Sequence, residues 1–159
     1  MVSMAKFYLE FSIDESCGKC APCRIGNKRL HEMLERITAG KGTMADLQKI
    51  KDLSVVIKDT SLCGLGQTSP NPVLSTLNQF HDEYEAHIEA RTCDAHQCKE
   101  LIHYVIVADK CTGCTVCSRN CPVEAIYGDK GAVHTILDNQ CIKCGICFSK
   151  CKFNAIIIN

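Results

Sequence analysis

Apolar residues recur with helical spacing through the first half of the chain. One stripe, spaced i, i+3, i+4 and i+7, consists of Leu30, Met33, Leu34 and Ile37. This spacing predicts a helix with one buried face, and Gly40 is placed to end it, because glycine readily adopts the left-handed backbone that follows many helices. Thr43 and Asp46 have the spacing of an N-terminal cap pair, so we predict that a second helix begins there.

A third helix is predicted after residues 61–71, a turn-rich segment that contains two glycines and a proline. Pro72 suits the first turn of that helix, where the missing backbone N–H has no intrahelical partner to lose. The inward-facing residues of the helix are predicted to be Val73, Leu77, Phe80, Tyr84 and Ile88. With a short helix over residues 4–11, the pattern predicts a small helical bundle over residues 1–90.

The pattern changes after residue 103, where a group of four cysteines recurs thirty positions later. The first group is Cys111, Cys114, Cys117 and Cys121, and the second is Cys141, Cys144, Cys147 and Cys151. Residues 104–108 and 155–158 are predicted as strands, and residues 127–137 as a turn or hairpin. The repeat predicts a duplicated βαβ unit over residues 104–159, with residues 91–103 as a linker. The predicted fold class is therefore a helical (α) bundle followed by an α/β domain.

Composition narrows the class of protein. The 159 residues include 18 Lys plus Arg and 18 Asp plus Glu, and this zero net charge, without a basic stretch, opposes nucleic-acid binding. No apolar run is long enough for membrane insertion, and the N-terminal residues lack the pattern of a secretory signal. We therefore expect a cytoplasmic protein whose fourteen cysteines bind metal rather than form disulfides.

The cysteine spacing indicates iron–sulfur chemistry. A third C-x2-C-x2-C group precedes the other two and consists of Cys17, Cys20 and Cys23. A [4Fe-4S] cubane needs one thiolate at each of its four irons, and a triplet of this spacing can supply three while the fourth comes from elsewhere. Zinc more often uses two separated cysteine pairs. Cys63 is the isolated cysteine nearest the first triplet, so twelve cysteines divide into three sets of four.

Residues 101–159 resemble bacterial two-cluster ferredoxins, in which the two repeats exchange their fourth ligands. This resemblance implies a first ferredoxin cluster, called cluster one below, on Cys111, Cys114, Cys117 and Cys151. It implies a second, cluster two, on Cys141, Cys144, Cys147 and Cys121. The second repeat departs from the ferredoxin pattern in having Lys152 where the first has Pro122.

The stretches ESCGKCAPCR and SLCGLGQTSPNPVLSTL resemble the C-terminal helical domain of the flavin-bearing, NADH-oxidising subunit of respiratory complex I. The same subunit type occurs in soluble NAD(P)-linked [FeFe] hydrogenases and formate dehydrogenases. The resemblance implies a [4Fe-4S] cluster that takes electrons from FMN and is held by Cys17, Cys20, Cys23 and Cys63. With a fused ferredoxin domain, the chain is similar to the C-terminal part of the flavoprotein subunit of electron-bifurcating or NADP-reducing hydrogenases.

These resemblances imply electron transfer through three [4Fe-4S] clusters within a larger NAD(P)-linked oxidoreductase. In that family FMN and NAD(P)H bind upstream of the first cluster motif, and no Gly-rich dinucleotide motif or catalytic residue is found in this chain. Expected partners are the other subunits, including a hydrogenase or other catalytic iron–sulfur subunit, and a soluble ferredoxin. The alternatives are the corresponding subunit of an NAD-dependent formate dehydrogenase or NADH:quinone oxidoreductase and, more distantly, a zinc-binding scaffold.

Two cysteines, Cys93 and Cys98, are left over between the two halves. Free, inert thiols are one interpretation, and a zinc site is the other, because C-x4-C is a permissible ligand spacing and imidazoles are close. His87 is the preferred third ligand, ahead of His96 and His103. A metal there would tie the last bundle helix to a linker that lets the ferredoxin half swing. The histidines expected at the surface or in packing are His31, His81 and His134.

Overall fold

The computed structural model describes residues 1–159 and divides the chain into two units. The first unit is built from helices. This first unit covers Met1–Leu101. Its helices are α1 (Val2–Asp14), α2 (Asn27–Thr38), α3 (Met44–Thr60), α4 (Gly64–Thr68), α5 (Asn71–Gln79) and α6 (His81–Glu85). Two π-helical turns, Pro22–Gly26 and Ala86–Ala90, adjoin α2 and α6, and a 3-10 turn lies at Lys99–Leu101.

The core of the first unit is apolar and is formed by residues of α1, α2, α3, α5 and α6. All four members of the stripe predicted on α2 are buried, which confirms that helix and its inward face. Burial of such side chains is the main favourable contribution to folding. The other large buried residues of this core are Leu9, Leu47, Ile50, Ile57, Val73, Leu77 and Tyr84.

The predicted cap pair at the start of α3 is confirmed. The Thr43 backbone N–H and hydroxyl donate hydrogen bonds of 2.9 and 3.0 Å to Asp46 Oδ2, and Arg36 Nη2 donates one of 2.8 Å to Asp46 Oδ1. Burial by itself raises the pKa of Asp46, but the bonds from Thr43 and Arg36 outweigh it and hold that pKa below its usual range. The carboxylate therefore caps α3 and ties it to α2.

Replacing Asp46 with asparagine is expected to lower the free energy of unfolding at pH 7 by about 1 kcal/mol, the usual cost of a lost cap interaction. Because the folded pKa of Asp46 is depressed, its stabilisation is complete above the unfolded pKa and is lost only as the pH falls through the folded value. Anaerobic urea unfolding at pH 7 measures the effect. Asp52→Asn, at an exposed site on the same helix, should change stability by less than about 0.5 kcal/mol.

The helix predicted from residue 72 to 88 is broken in the structure, and the prediction was wrong at Phe80. This residue has non-helical backbone angles (φ −127°, ψ 41°) and an exposed ring, and it separates α5 from α6. The break lets the buried Tyr84 hydroxyl lie 2.8 Å from Thr76 Oγ1. Burial raises the pKa of the Tyr84 hydroxyl to about 12. Periodicity alone did not reveal the break, because Val73, Leu77 and Tyr84 remain buried on both sides of it.

Four short strands and two short helices build the second unit, Ile102–Asn159. Its elements are β1 (Tyr104–Ile106), α7 (Val116–Arg119), β2 (Ile126–Tyr127), β3 (Thr135–Ile136), α8 (Ile146–Lys150) and β4 (Ile156–Ile158). β1 pairs with β4 and β2 pairs with β3, both antiparallel, so each strand of one sequence repeat pairs with a strand of the other. The predicted hairpin and the two predicted terminal strands are present, with shorter bounds.

The two ends of the second unit lie side by side. Beyond the β1–β4 pairing, the backbone N–H of His103 donates to the carbonyl of Asn159 over 2.8 Å, and the N–H of Asn159 donates to the carbonyl of His103 over 2.9 Å. The strands enclose a small core in which Ala125, Ile126 and Ile156 are buried together with Cys147. No helix anywhere in the chain has the length and hydropathy needed to cross a membrane.

Candidate iron–sulfur and metal centres

The first cysteine triplet lies between α1 and α2, and the segment that carries Cys63 packs against it. Cys63 occupies the position directly before the first residue of α4, and its side chain makes no capping hydrogen bond. The backbone of Leu62 hydrogen-bonds to the Cys20 thiol and is the largest cause of its lowered pKa. A side chain at Gly66 would lie 3.1 Å from Cys23 Cβ and 2.6 Å from Ser61. The absence of a side chain at Gly66 therefore lets the turn carrying Cys63 approach the triplet.

Polar side chains surround the sulfur of Cys23, the buried member of this triplet. Asn27 Nδ2 donates to Cys23 Sγ over 3.5 Å, and Ser16 Oγ lies 3.3 Å from the same sulfur. Ser69 donates to Asn27 Oδ1 over 2.9 Å, which fixes the orientation of the fully buried amide. Donors held in this way are typical of the surroundings of metal-bound thiolates, whose charge they stabilise.

Each of two cavities in the second unit brings together cysteines from both repeats. One cavity, called cavity one, has four cysteines in its lining: Cys111, Cys114, Cys117 and Cys151. A second cavity, called cavity two, has four other cysteines in its lining: Cys141, Cys144, Cys147 and Cys121. Each cavity thus contains the triplet of one repeat and the last cysteine of the other. The remaining lining is mainly aliphatic, so both cavities offer four sulfur ligands in apolar surroundings.

The backbone shapes both cavities in the same way. Left-handed residues occur at matching positions thirty apart: Gly113 and Lys143, Thr115 and Gly145, and Glu124 and Asn154. The last cysteine of each repeat accepts a backbone hydrogen bond, from Ala125 to Cys121 Sγ over 3.2 Å and from Ala155 to Cys151 Sγ over 3.4 Å. Four thiols, backbone donors aimed at sulfur and an apolar wall are the features that a [4Fe-4S] cluster requires, so these residues fit one.

Electrostatics in the cavities favour a bound cation over free thiolates. Burial first, and then the neighbouring cysteines of its own triplet, raise the pKa of Cys147 to about 11. Burial likewise raises the pKa of Cys117, in the other cavity. Without a cation these thiols stay protonated at neutral pH, whereas bound iron compensates the charge of several thiolates at once.

A separate group of ligands lies at the end of the helical unit. The ligand atoms of His87, Cys93 and Cys98 all lie within 4.8 Å of one another, and all three residues are buried. His87 Nε2 is 3.4 Å from Cys98 Sγ, while Nδ1–H donates to the Glu83 carbonyl over 2.6 Å. That second bond leaves the Nε2 lone pair directed at the cysteines, as in many metal-bound histidines. Burial, and then Cys93, raises the pKa of Cys98 to about 12.

The other two histidines considered for this group are placed elsewhere. His96 is exposed, and His103 belongs to the second unit, where its Nδ1 lies 3.0 Å from Asp138 Oδ1. Cys93 and Cys98 instead pack with Leu101. The Leu101 side chain also lies close to Gly40, where an added Cβ would be 2.7 Å from Leu101 Cδ2. The segment predicted as a linker therefore contributes buried residues to the helical unit as far as Leu101.

His134 lines cavity one, a role that the sequence reasoning missed. Its side chain is 1% exposed, and neither ring nitrogen has a hydrogen-bond partner. The signal that could have found it is the repeat, because Tyr104, thirty positions earlier, lines cavity two. The other histidines placed at the surface or in packing, His31 and His81, lie beside Glu35 and Glu85 on their own helices.

Cysteine sets of this kind, on a helical bundle and in two cavities of a small β-containing unit, define an iron–sulfur electron-transfer protein. Residues 3–87 match the family described as the NADH-ubiquinone oxidoreductase-F iron–sulfur binding region, and residues 110–156 match the 4Fe-4S dicluster domain. The chain belongs to the first of these families, and it carries 4Fe-4S binding domains in both halves.

Relatives extend the similarity across the whole chain. Over 157 residues the chain is 61% identical to the NADP-reducing hydrogenase subunit HndC of Solidesulfovibrio fructosivorans, covering 99% of this chain and 32% of that protein. Over 86 residues it is 46% identical to an NADH-quinone oxidoreductase subunit of Streptomyces coelicolor, covering 54% of this chain and 19% of the relative. The chain spans about a third of the first relative's length and less of the second's.

A solved hydrogenase structure is also similar to part of this chain. The crystal structure of an NAD+-reducing [NiFe]-hydrogenase in its H2-reduced state matches with a TM-score of 0.53 and 32% identity. The match covers 55% of this chain and 15% of the other.

Proposed function

We propose that the chain carries electrons through three [4Fe-4S] clusters and is part of the flavoprotein subunit of a cytoplasmic, NADP-reducing or electron-bifurcating hydrogenase. The observation that carries this proposal is the lining of the two cavities, each with a cysteine triplet and a fourth cysteine from the other repeat. On this proposal the second unit is a ferredoxin-like domain of two similar βαβ repeats. Its clusters have the crossed ligand sets given above.

The third cluster belongs to the helical unit. Its proposed ligands are Cys17, Cys20, Cys23 and Cys63. Support comes from the backbone of Leu62 at the Cys20 thiol and from the close approach that Gly66 permits to Cys23. The donors Asn27 and Ser16 at the Cys23 sulfur would stabilise a thiolate there.

Each cluster, when bound, accepts and releases single electrons without making or breaking bonds to a substrate. The contribution of the chain is to hold the sulfur ligands, keep the surroundings apolar and supply hydrogen bonds that set the potentials. Electrons would enter from FMN and NAD(P)H bound by another part of the same subunit. They would leave to a catalytic iron–sulfur subunit or to a soluble ferredoxin.

The hydrogenase assignment is preferred to the two other oxidoreductases for a specific reason. The 61% identity to the hydrogenase subunit extends over 99% of the chain, whereas the match to the quinone oxidoreductase subunit covers 86 residues, 54% of the chain. A formate dehydrogenase subunit likewise matches over 89 residues only, at 32% identity. The extent of the match therefore separates these alternatives.

We also propose that His87, Cys93 and Cys98 bind a zinc ion with a structural role. The buried triad, with the His87 ring fixed through the Glu83 carbonyl, supports this site. Zinc with two thiolates and an imidazole would leave one coordination position for water or a fourth ligand. The ion would join the end of the last helical turn to the segment that closes the helical unit.

Iron content tests the main proposal. Protein purified without oxygen is expected to contain about twelve irons per chain, because each of three cubanes holds four. Elemental analysis against protein concentration, with paramagnetic resonance of the dithionite-reduced protein, gives the number and type of clusters. A reproducible content near eight would remove one cluster from the proposal, and a colourless protein holding zinc at the triplets would overturn it.

A further inference from the structure

The buried imidazole of His134 has no partner within the chain. The residue is 1% exposed, and both Nδ1 and Nε2 lie out of reach of any donor or acceptor. Buried polar groups in native proteins nearly always have a hydrogen-bond partner, because an unmade bond costs the full penalty of desolvation. Since the ring lines cavity one, the partner is expected to be the group bound there.

The position of the ring is fixed by its neighbours. A side chain at Gly128 would lie 2.8 Å from His134 Cγ, so the ring packs directly on the backbone of that glycine. The adjacent segment is joined to the first cysteine loop by the bond from the N–H of Gly131 to the carbonyl of Gly113, 3.0 Å long. Thr135, the next residue, begins β3 and pairs with Tyr127 of β2. The imidazole therefore occupies a defined place in the cavity lining.

The internal repeat makes this residue specific to one of the two cavities. Tyr104, thirty positions before His134, lines cavity two. Its ring packs beside Gly145, where a side chain would lie 3.0 Å from the phenolic oxygen. The same place in the fold thus presents a phenol ring to cavity two and an imidazole with an unused N–H to cavity one.

We propose that His134 donates a ring N–H hydrogen bond to a sulfur of cluster one and thereby raises the reduction potential of that cluster. The inference rests on the proposed function, because it requires a cluster in cavity one. Reduction adds one electron to the cluster and moves no proton, so the negative charge near the N–H grows. A donor at the sulfur stabilises the more negative state more, so cluster one is reduced at a higher potential than it would be without this bond.

A redox titration of the full chain tests this. In His134→Phe we expect the ratio of reduced to oxidised cluster one at a fixed ambient potential to fall about tenfold, a shift of about 59 mV for a one-electron couple. The potential of the other ferredoxin cluster should stay within error. Tyr104→Phe is the matched control, because it removes a hydroxyl at the equivalent place in the repeat and should leave cluster one unchanged. An unaltered potential in a His134→Phe protein with full iron would overturn the proposal.

If the His134→Phe protein does not assemble its clusters, a spectroscopic measurement on the chain with His134 intact still tests the proposal. With histidine labelled by 15N, pulsed paramagnetic resonance of the reduced protein should detect a nitrogen coupled to one ferredoxin cluster. The same coupling should persist in a labelled His31→Gln protein, which alters a histidine on α2. Full iron with no coupled histidine nitrogen would overturn the role of His134 alone, whereas the absence of any cluster on Cys111 and its partners would overturn the proposed function.

Discussion

Replacing Cys151 with alanine is expected to remove the cluster of the first ferredoxin triplet, and replacing Cys121 is expected to remove the cluster of the second. The reason is the cavity lining, in which each of these cysteines faces the triplet of the other repeat. A cubane that loses one of four thiolates is expected to be lost or degraded, so iron should fall from about twelve to about eight per chain. Elemental analysis and paramagnetic resonance of the reduced protein measure the loss.

Double substitutions reveal which triplet each cysteine serves. If Cys151 belongs with Cys111, then Cys151→Ala combined with Cys111→Ala should lose no more iron than either change alone. Cys151→Ala combined with Cys141→Ala should instead lose both ferredoxin clusters, leaving about four irons. The reverse outcome, with the larger loss in the first pair, would show that each repeat holds its own cluster and would refute the crossed assignment.

A Cys93→Ser, Cys98→Ser double substitution is expected to remove about one zinc per chain while all the iron remains. Structural zinc contributes about 10–16 kcal/mol of binding free energy, so its loss should also release the segment around Cys93 and Cys98 from the helical unit. Metal analysis measures the zinc, and hydrogen exchange of residues 91–101 measures the release. Faster exchange there, with protection retained in α2 and α3, is the expected pattern.

Two single substitutions test which histidine binds the zinc. His87→Ala should lose the zinc, because His87 Nε2 faces Cys98. His96→Ala should keep it, because His96 is exposed although it lies between the two cysteines in sequence. Wild-type protein without zinc, or with iron at these cysteines, would exclude the zinc site.

Local features were predicted well from the sequence, whereas features that depend on packing were not. The stripe on α2 and the cap at Thr43 involve residues within one or two turns of each other, so periodicity and spacing are sufficient to predict them. The break at Phe80 accompanies a contact between Thr76 and Tyr84 across two helices, and periodicity does not contain such a contact. In retrospect Asp82 and Glu83, acidic residues in the first turn of α6, mark a new helix start.

In the candidate sites, too, some features were predictable from the sequence and others depend on packing. Grouping the cysteines needed only their spacing and the repeat, and the cavities bring together the sets that the ferredoxin resemblance implied, although the ligand assignments stay predictions. The sequence-based preference for His87 over His96 agrees with the structure, which buries His87 beside Cys93 and Cys98 and leaves His96 exposed, and the zinc ligand assignment stays a prediction. The place of His134 depends on its packing against Gly128, and apart from the thirty-residue repeat no sequence pattern indicated it.

The paired ends of the second unit have an evolutionary consequence. Because His103 and Asn159 exchange backbone hydrogen bonds, the polypeptide enters and leaves this unit at the same point. A unit with adjacent ends can be spliced onto a terminus or into a surface loop of a host protein without stretching either of them. Because its ends meet, such a unit can bring its two cysteine-lined cavities to a host protein as one piece.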